Sequence, residues 1–305
     1  MVHVKLDEVN ERSLTTSQLW IQGARPRTLP AAIAPVLVGA GAAVGVESDG
    51  PSWWRFLFAL IVSLGLQVGV NYANDYADGI RGTDADRVGP MRLVGSGAVP
   101  ALQVKYAAFL AFAIAGLAGL VIAATTSWWL VLVGAVCIVA GWGYTGGPVP
   151  YGYLGLGEVF VFVFFGLVAT MGTTFAIVQT VTVESAIASV AVGSMACALL
   201  VVNNLRDIPG DVRAGKRTLA VRLGDRTTRG IYVALIVLAT LAMVGASLQR
   251  PFALAGVTGL IVVLPAIRFI RHGARGRDLI PVLEATGKAQ LIVGTYLAVG
   301  LAMGG

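Results

Sequence analysis

Charged side chains are scarce in this chain: they make up 12% of its 305 residues, where a soluble domain carries about a quarter. With 56% hydrophobic residues and a mean hydropathy of +0.79, most of the chain must have lipid rather than water as its solvent. Histidine is almost absent: His3 and His272 are too few and too far apart for a histidine metal centre. The two cysteines, Cys137 and Cys197, both fall inside apolar runs, where thiols behave as small hydrophobes, so a disulfide framework is excluded. Strand-like alternation is missing and the apolar runs are too long for barrel strands, which leaves helices as the way to bond every backbone group in hydrocarbon. The first 18 residues are polar and mixed in charge, so the start is expected to be a short disordered cytoplasmic tail (residues 1–23), not a signal peptide. A single domain is expected over residues 24–305.

Nine apolar stretches suit membrane-spanning helices: 29–46, 54–73, 104–124, 128–144, 157–178, 186–202, 230–248, 252–269 and 280–303. Glu284 and Lys288 interrupt the start of the last. Trp53, Trp54, Trp128 and Trp129 sit at span edges, as interfacial aromatics do. With this division, 20 of the 22 Lys and Arg fall on one side, and only Arg55 and Arg250 on the other. Positive charge accumulates on the cytoplasmic side, so the N-terminus is expected inside and the C-terminus outside. The net charge of +6 then follows from topology, with no need of nucleic acid as a partner.

Two long polar stretches, 71–105 and 203–229, follow even-numbered spans and share the cytoplasmic side. They repeat one another: Asn71-x3-Asp75-x2-Asp78 resembles Asn203-x3-Asp207-x3-Asp211, four spans apart. The expected fold is all-α and polytopic, with about nine transmembrane helices around a central cavity. Two four-helix-like halves are each followed by an Asp-rich cytoplasmic loop, with the ligand site at the repeat interface. Abundant glycine, 39 residues, allows helices to pack closely around it.

At 100° per residue Asn71, Asp75 and Asp78 fall within about 60° on a helix, and Asn203 and Asp207 repeat the arrangement. Pro209 predicts that the second helix ends before Asp211, which then reaches the site from a turn. Asp84 and Asp86 add carboxylates in the first loop. Crowded carboxylates repel unless a cation neutralises them, and oxygen ligands select a hard one: Mg²⁺, Mn²⁺ or Ca²⁺. Magnesium takes one or two carboxylates and completes its shell with water and substrate phosphate. The same stretches carry Arg87, Arg92, Arg206, Lys216 and Arg217, suited to phosphate oxygens. Metal and guanidinium where a lipid cavity meets water imply a substrate with an apolar tail and a diphosphate head.

Several motifs together resemble a known family. They are Ala24-Arg25-Pro26-Arg27-Thr28-Leu29-Pro30, Asn71-Tyr72-Ala73-Asn74-Asp75-Tyr76-Ala77-Asp78 and Asp86-Arg87-Val88-Gly89-Pro90-x-Arg92 in the first half. Tyr144-Thr145-Gly146-Gly147-Pro148, Gly155-Leu156-Gly157-Glu158, Asn203-Asn204-Leu205-Arg206-Asp207-Ile208 and Gly215-Lys216-Arg217-Thr218-Leu219-Ala220 follow. The chain resembles the UbiA superfamily of intramembrane aromatic prenyltransferases, and within it the branch that acts on 1,4-dihydroxy-2-naphthoate. The resemblance implies a multi-pass enzyme of the cell membrane that transfers a polyprenyl group from its diphosphate to that acceptor with loss of CO₂. It implies Mg²⁺ held by Asp75, Asp78, Asp207 and, beside them, Asp84 and Asp211, with Asp75, Asp78, Asp207 and Lys216 in the chemistry. Asn71, Asn203, Arg25, Arg87, Arg92, Arg206, Arg217 and Tyr144 are expected to bind substrate. Lys216, Arg217 and Arg25 are the candidates to orient the aromatic carboxylate.

Gly141-Trp142-Gly143-Tyr144-Thr145-Gly146 formally matches a dinucleotide fingerprint, but it closes a membrane span with no βαβ unit around it. Gly210-x4-Gly215-Lys216 lacks the Ser or Thr of a P-loop. The competing readings are a sister prenyltransferase with another aromatic acceptor, and a secondary transporter. A transporter would place its polar residues near the bilayer midplane, whereas here they gather at helix ends. Glu158, at the lip of the fifth span, is costly there unless used or solvated.

Overall fold

The computed structural model describes residues 15–46, 51–83 and 91–305. Helices dominate, and no strand occurs among the described residues. In chain order they are α1 (Thr16–Ala24), α2 (Pro30–Ala43), α3 (Trp53–Ile80), α4 (Ala101–Thr125) and α5 (Trp129–Gly143). Then come α6 (Gly157–Val178), α7 (Val183–Arg213), α8 (Leu219–Ser247), α9 (Pro251–Arg271) and α10 (Ile280–Met303). Each expected apolar stretch lies on one of α2 to α10. Six of these (α3, α4, α6, α7, α8 and α9) are long and apolar enough to cross a bilayer, and the chain is an integral membrane protein. Helices α2 and α5 are shorter, at 14 and 15 residues, and α10 carries Glu284, Lys288 and Gln290 in its first half.

Helix α7 is the axis of the bundle. Its apolar stretch is 78% buried, against 33–39% for the other five long helices. It packs along α8, as α3 packs along α4, and α2 closes the ring by lying against α10. Close approach depends on small residues. Gly166 of α6 meets Gly193 of α7 so tightly that a Cβ on Gly166 would stand 2.7 Å from the Gly193 Cα. Over Phe162–Val168, beside that contact, α6 winds as a π-helix, a local form frequent at functional sites. Outward faces are apolar, with Leu117, Leu132, Val139 and Leu241 exposed, the inverse of a soluble protein.

Two expectations change. Residues 15–23, read as part of a disordered tail, belong largely to α1; residues 1–14 lie outside the described ones. A capping box between Thr15 and Gln18 starts this helix, and Trp20 packs edge-on against Tyr72, whose hydroxyl donates to the Trp20 carbonyl at 2.8 Å. The Asp-rich stretches begin as helix, not loop. Asp75 and Asp78 occupy the last turns of α3, and α7 continues through Pro209 to Arg213, carrying Asp207 and Asp211. Pro209 removes one N–H bond at a cost of about 3 kcal/mol. The following turn is still closed by Ala214 N–H to Gly210 O at 2.9 Å and Lys216 N–H to Asp211 O at 2.8 Å.

Arg55 and Arg250, the two basic residues on the sparse side, serve the helix ends there. Arg55 donates to the carbonyls of Thr125 (2.8 Å) and Ala176 (3.3 Å), near the ends of α4 and α6. Arg250, 7% exposed, donates through Nη1 to Val44 O (2.9 Å) and Leu301 O (3.0 Å), at the ends of α2 and α10. Each satisfies orphan carbonyls and sits at the negative ends of helix dipoles. Hydrogen bonds to charged groups contribute about 1.5–3 kcal/mol, so Arg250→Ala is expected to lower stability by about 2–4 kcal/mol. Thermal unfolding in detergent measures this, and an unchanged midpoint would refute the capping role.

Candidate functional site

Between α2, α3, α5, α6 and α7 lies a cavity of about 1240 Å³, above the roughly 300–1,000 Å³ usual for small-molecule pockets. Its wall runs along α3 from Ala59 to Asp78, which at ~1.5 Å per residue is about 28 Å. Val62, Ile122, Leu130 and Val133 line one end, and Asp78, Asn203, Asp207, Asp211 and Lys216 the other. One side is aromatic: Tyr151 stacks on Phe160 at 3.9 Å, with Tyr144 edge-on to Tyr151 at 5.5 Å and Phe164 beyond Phe160.

The polar end is assembled from the C-terminal turns of α3 and α7, two negative dipole ends that disfavour carboxylates. Cations compensate. Lys216 Nζ stands 3.0 Å from Asp78 Oδ1 and 4.7 Å from the centroid of the Tyr153 ring. The Tyr153 hydroxyl donates to the same Asp78 oxygen. Burial, reinforced by the Asp78 charge, pushes the Tyr153 phenol above its ordinary range, which keeps it a donor. On α7, Arg206 forks onto Asp207, Nε to Oδ1 at 2.7 Å and Nη2 to Oδ2 at 2.8 Å, and also reaches Asn203 Oδ1 at 2.7 Å. Thr218 Oγ1 donates to Asp211 Oδ2 at 3.4 Å.

The segment between α5 and α6 straps these helix ends together. Thr145 Oγ1 donates to Asn74 Oδ1 at 2.6 Å, and the Arg81 guanidinium donates to the Thr145 and Gly147 carbonyls. Beneath it, Asn204 Nδ2 donates to Glu158 Oε1 at 2.9 Å, so Glu158, 9% exposed, is held inside the protein and not solvated at its edge.

Asn71 and Asp75 border the cavity but bond elsewhere. Asn71 Nδ2 donates to Ala24 O (2.8 Å) and Thr28 Oγ1 (3.0 Å), while Arg25 Nη2 donates to Asn71 O (3.2 Å). Asp75 accepts the backbone N–H groups of Leu93 and Val94. The pair whose side chains bond to Thr145, Tyr153 and Lys216 at the polar end is Asn74-x3-Asp78, which has the spacing of Asn203-x3-Asp207 in a register three residues from the one first read. Asn74, Arg81 and Tyr153 were missed; the shared Asn-x3-Asp spacing was the available signal for Asn74. Arg25, Arg92, Tyr144 and Arg206 line the cavity as expected. Arg217 does not: it is exposed and outside the wall, with its backbone N–H bonded to Tyr153 O at 2.9 Å. Residues 216–218 are non-helical; Lys216 turns in to Asp78 while Arg217 is exposed. Asp84, Asp86 and Arg87 lie outside the described residues.

Among the described residues no three acidic, His or Cys side chains gather into a self-sufficient metal cage. The carboxylates instead stand on two walls, Asp78 on one, Asp207 and Asp211 on the other. That donor set fits a hard cation that shares its shell with a phosphate ligand.

An all-helical membrane bundle with an apolar cavity closed at one end by carboxylates, Lys and Arg defines an intramembrane enzyme class that handles lipid-tailed anions. Residues 32–281 match the UbiA prenyltransferase family, and the chain belongs to it. It is 50% identical over 285 residues to the 1,4-dihydroxy-2-naphthoate octaprenyltransferase of Mycobacterium tuberculosis, covering 93% of this chain and 97% of that one. The enzyme of the same name from Escherichia coli is 32% identical, over 96% and 98% of the two chains. Its fold is similar to that of a UbiA homolog from Archaeoglobus fulgidus bound to DMAPP and Mg²⁺ (TM-score 0.61, 14% identity, 92% and 99% coverage). It is also similar to a UbiA homolog from Aeropyrum pernix (TM-score 0.69, 13% identity, 88% and 96% coverage).

The opposite orientations of residues 216 and 217 are directly testable. With Cys137 and Cys197 replaced by Ser, Arg217→Cys is expected to react with a polar maleimide faster than Lys216→Cys. Equal rates would refute the inward turn of Lys216.

Proposed function

We propose that this chain transfers a polyprenyl group from a polyprenyl diphosphate to 1,4-dihydroxy-2-naphthoate, with loss of CO₂, giving the quinol form of a demethylmenaquinone. The observation that carries this is the apolar cavity, about 28 Å along α3, ending at Asp78, Asp207, Asp211, Lys216 and Arg206. The names of the relatives supply the acceptor. All nine helices α2 to α10 are proposed to cross the cell membrane as one domain, residues 24–305. The 20-to-2 distribution of Lys and Arg supports a cytoplasmic polar end and N-terminus.

Asp78, Asp207 and Asp211, with Asp84 from outside the described residues, would hold Mg²⁺ against the diphosphate, with Asn74 and Asn203 beside them. When bound, the metal supplies Lewis-acid stabilisation of the leaving diphosphate. Lys216 and Arg206, already held at the carboxylates, provide fixed positive charge where negative charge develops. Arg92 and Arg25 extend that charge along the wall. The C–O bond breaks with its electron pair passing to the diphosphate, and the faces of Tyr144, Tyr151 and Phe160 stabilise the allylic carbon as it becomes cationic. The strap over residues 144–156 keeps water from that centre. The naphthoate ring then forms the new carbon–carbon bond and loses its carboxylate.

Asp78→Ala and Asp207→Ala are each expected to lower turnover by on the order of 10²-fold or more while the protein still inserts. EDTA should abolish turnover and Mg²⁺ restore it. Membranes given labelled prenyl diphosphate with dihydroxynaphthoate, 4-hydroxybenzoate or homogentisate provide the measurement. Product from either of the latter two alone would refute the acceptor, and EDTA-resistant turnover the metal.

A further inference from the structure

We infer that Asp75 is a positioning residue: its carboxylate clamps the backbone of Leu93 and Val94 and so seats Arg92 at the diphosphate end of the cavity. Metal binding then falls to Asp78, Asp207 and Asp211. This rests on the proposed function for its substrate and on independent geometry for the clamp.

The Asp75 side chain is fully buried, at 0% exposure. Its two oxygens accept consecutive amides, Oδ1 from Val94 N–H at 2.9 Å and Oδ2 from Leu93 N–H at 3.0 Å. Paired backbone donors of this kind make a small anion-binding concavity, and here the anion belongs to the chain itself. Both clamped residues are seated by packing. Leu93, 0% exposed, fits over Gly23 of α1 and joins the cluster around Tyr72, Val99 and Val104. Val94 lies on Gly79, where its side chain leaves no room for a Cβ. The segment closes on itself through Ser96 N–H to Arg92 O at 3.1 Å and Val99 N–H to Leu93 O at 3.0 Å. Arg92 immediately precedes the clamp and lines the cavity.

Asp78, three residues later, faces a different set of partners. Its oxygen meets the side chains of Lys216 and Tyr153, groups that belong to the polar end itself. The end of α3 thus carries two carboxylates with separate tasks, one holding a chain segment and one holding the site.

The test compares wild type with Asp75→Asn, Asp78→Asn, Arg92→Ala and the Asp75→Asn/Arg92→Ala double variant. Mn²⁺ binding with inorganic pyrophosphate is read by electron paramagnetic resonance, and KM for polyprenyl diphosphate by product formation. Asp75→Asn should keep Mn²⁺ affinity within about threefold of wild type, whereas Asp78→Asn loses about tenfold or more. Asp75→Asn should raise KM about tenfold and speed proteolysis after residue 90, and the double variant should be no worse than Arg92→Ala. Loss of Mn²⁺ binding in Asp75→Asn equal to that in Asp78→Asn overturns the inference, as does full additivity with Arg92→Ala. Should Asp75→Asn fail to fold, Arg92→Ala decides: an unchanged KM overturns the inference, and a raised KM with unaltered Mn²⁺ binding upholds it. A wild type that binds Mn²⁺ with pyrophosphate but transfers no prenyl group would count against the proposed function, leaving the clamp to be judged on proteolysis and metal binding.

Discussion

Carboxylates at the C-terminal ends of two helices, facing one cavity, are the constraint on which the rest of this structure depends. Each helix end already bears partial negative charge from unsatisfied carbonyls, and Asp78, Asp207 and Asp211 add to it. No such arrangement holds in a low-dielectric bundle without cations, because repulsion there is far less screened than in water. The chain provides two fixed ones, Lys216 on Asp78 and Arg206 on Asp207. The site is therefore neutralised enough to fold and still able to accept a cation that arrives with an anionic ligand.

The opposite side of the bundle shows the same electrostatics in reverse. There Arg55 and Arg250 donate to carbonyl ends that lipid could not satisfy, and Arg250 also stands 3.7 Å from Glu184. Lys and Arg are thus rare at that end of the bundle, and the two exceptions have a structural use. Around the axis, α7 tolerates burial on nearly all sides because its inward residues are small: Ala188, Ala191, Gly193, Ser194 and Ala198. The π-wound turn of α6 lies against Gly193 at that close approach, and Phe160 and Phe164 of the same helix line the cavity.

Much of the architecture was legible in the sequence because hydrocarbon imposes a simple rule on composition. The centres of the apolar stretches, the polar end and the pairing of two acidic motifs all follow from it. What was not legible depended on local contests. The Asn-x3-Asp repeat occurs in two registers in the first motif, 71/75 and 74/78, and periodicity alone does not choose between neighbouring stripes about 60° apart. Pro209 predicted a helix end, but bonds from Ala214 and Lys216 back to Gly210 and Asp211 carried the helix on. Arg217 read as a site residue because a guanidinium suits phosphate oxygens; the non-helical backbone of 216–218 leaves it exposed while Lys216 reaches Asp78. Helix α1 is too polar to announce itself and depends on Trp20 meeting Tyr72.

The two stripes at the end of α3 explain how one helix both builds and runs a site. Asn71 and Asp75, one turn apart, face the chain itself: Asn71 ties down the α1 end at Ala24 and Thr28, and Asp75 the segment at 93–94. Asn74 and Asp78, the adjacent stripe, face Thr145, Tyr153 and Lys216. Among the described residues, the α1 end, the 93–94 segment, the strap at 145–153 and Lys216 are thus each bonded to one of four residues within two turns. On α7 the equivalent turns are less divided, since Asn203 and Asp207 share Arg206 while Asn204 alone turns back to Glu158. A motif that reads as a row of metal ligands is physically also a hub, whose amides and carboxylates bond to the segments of chain packed around it.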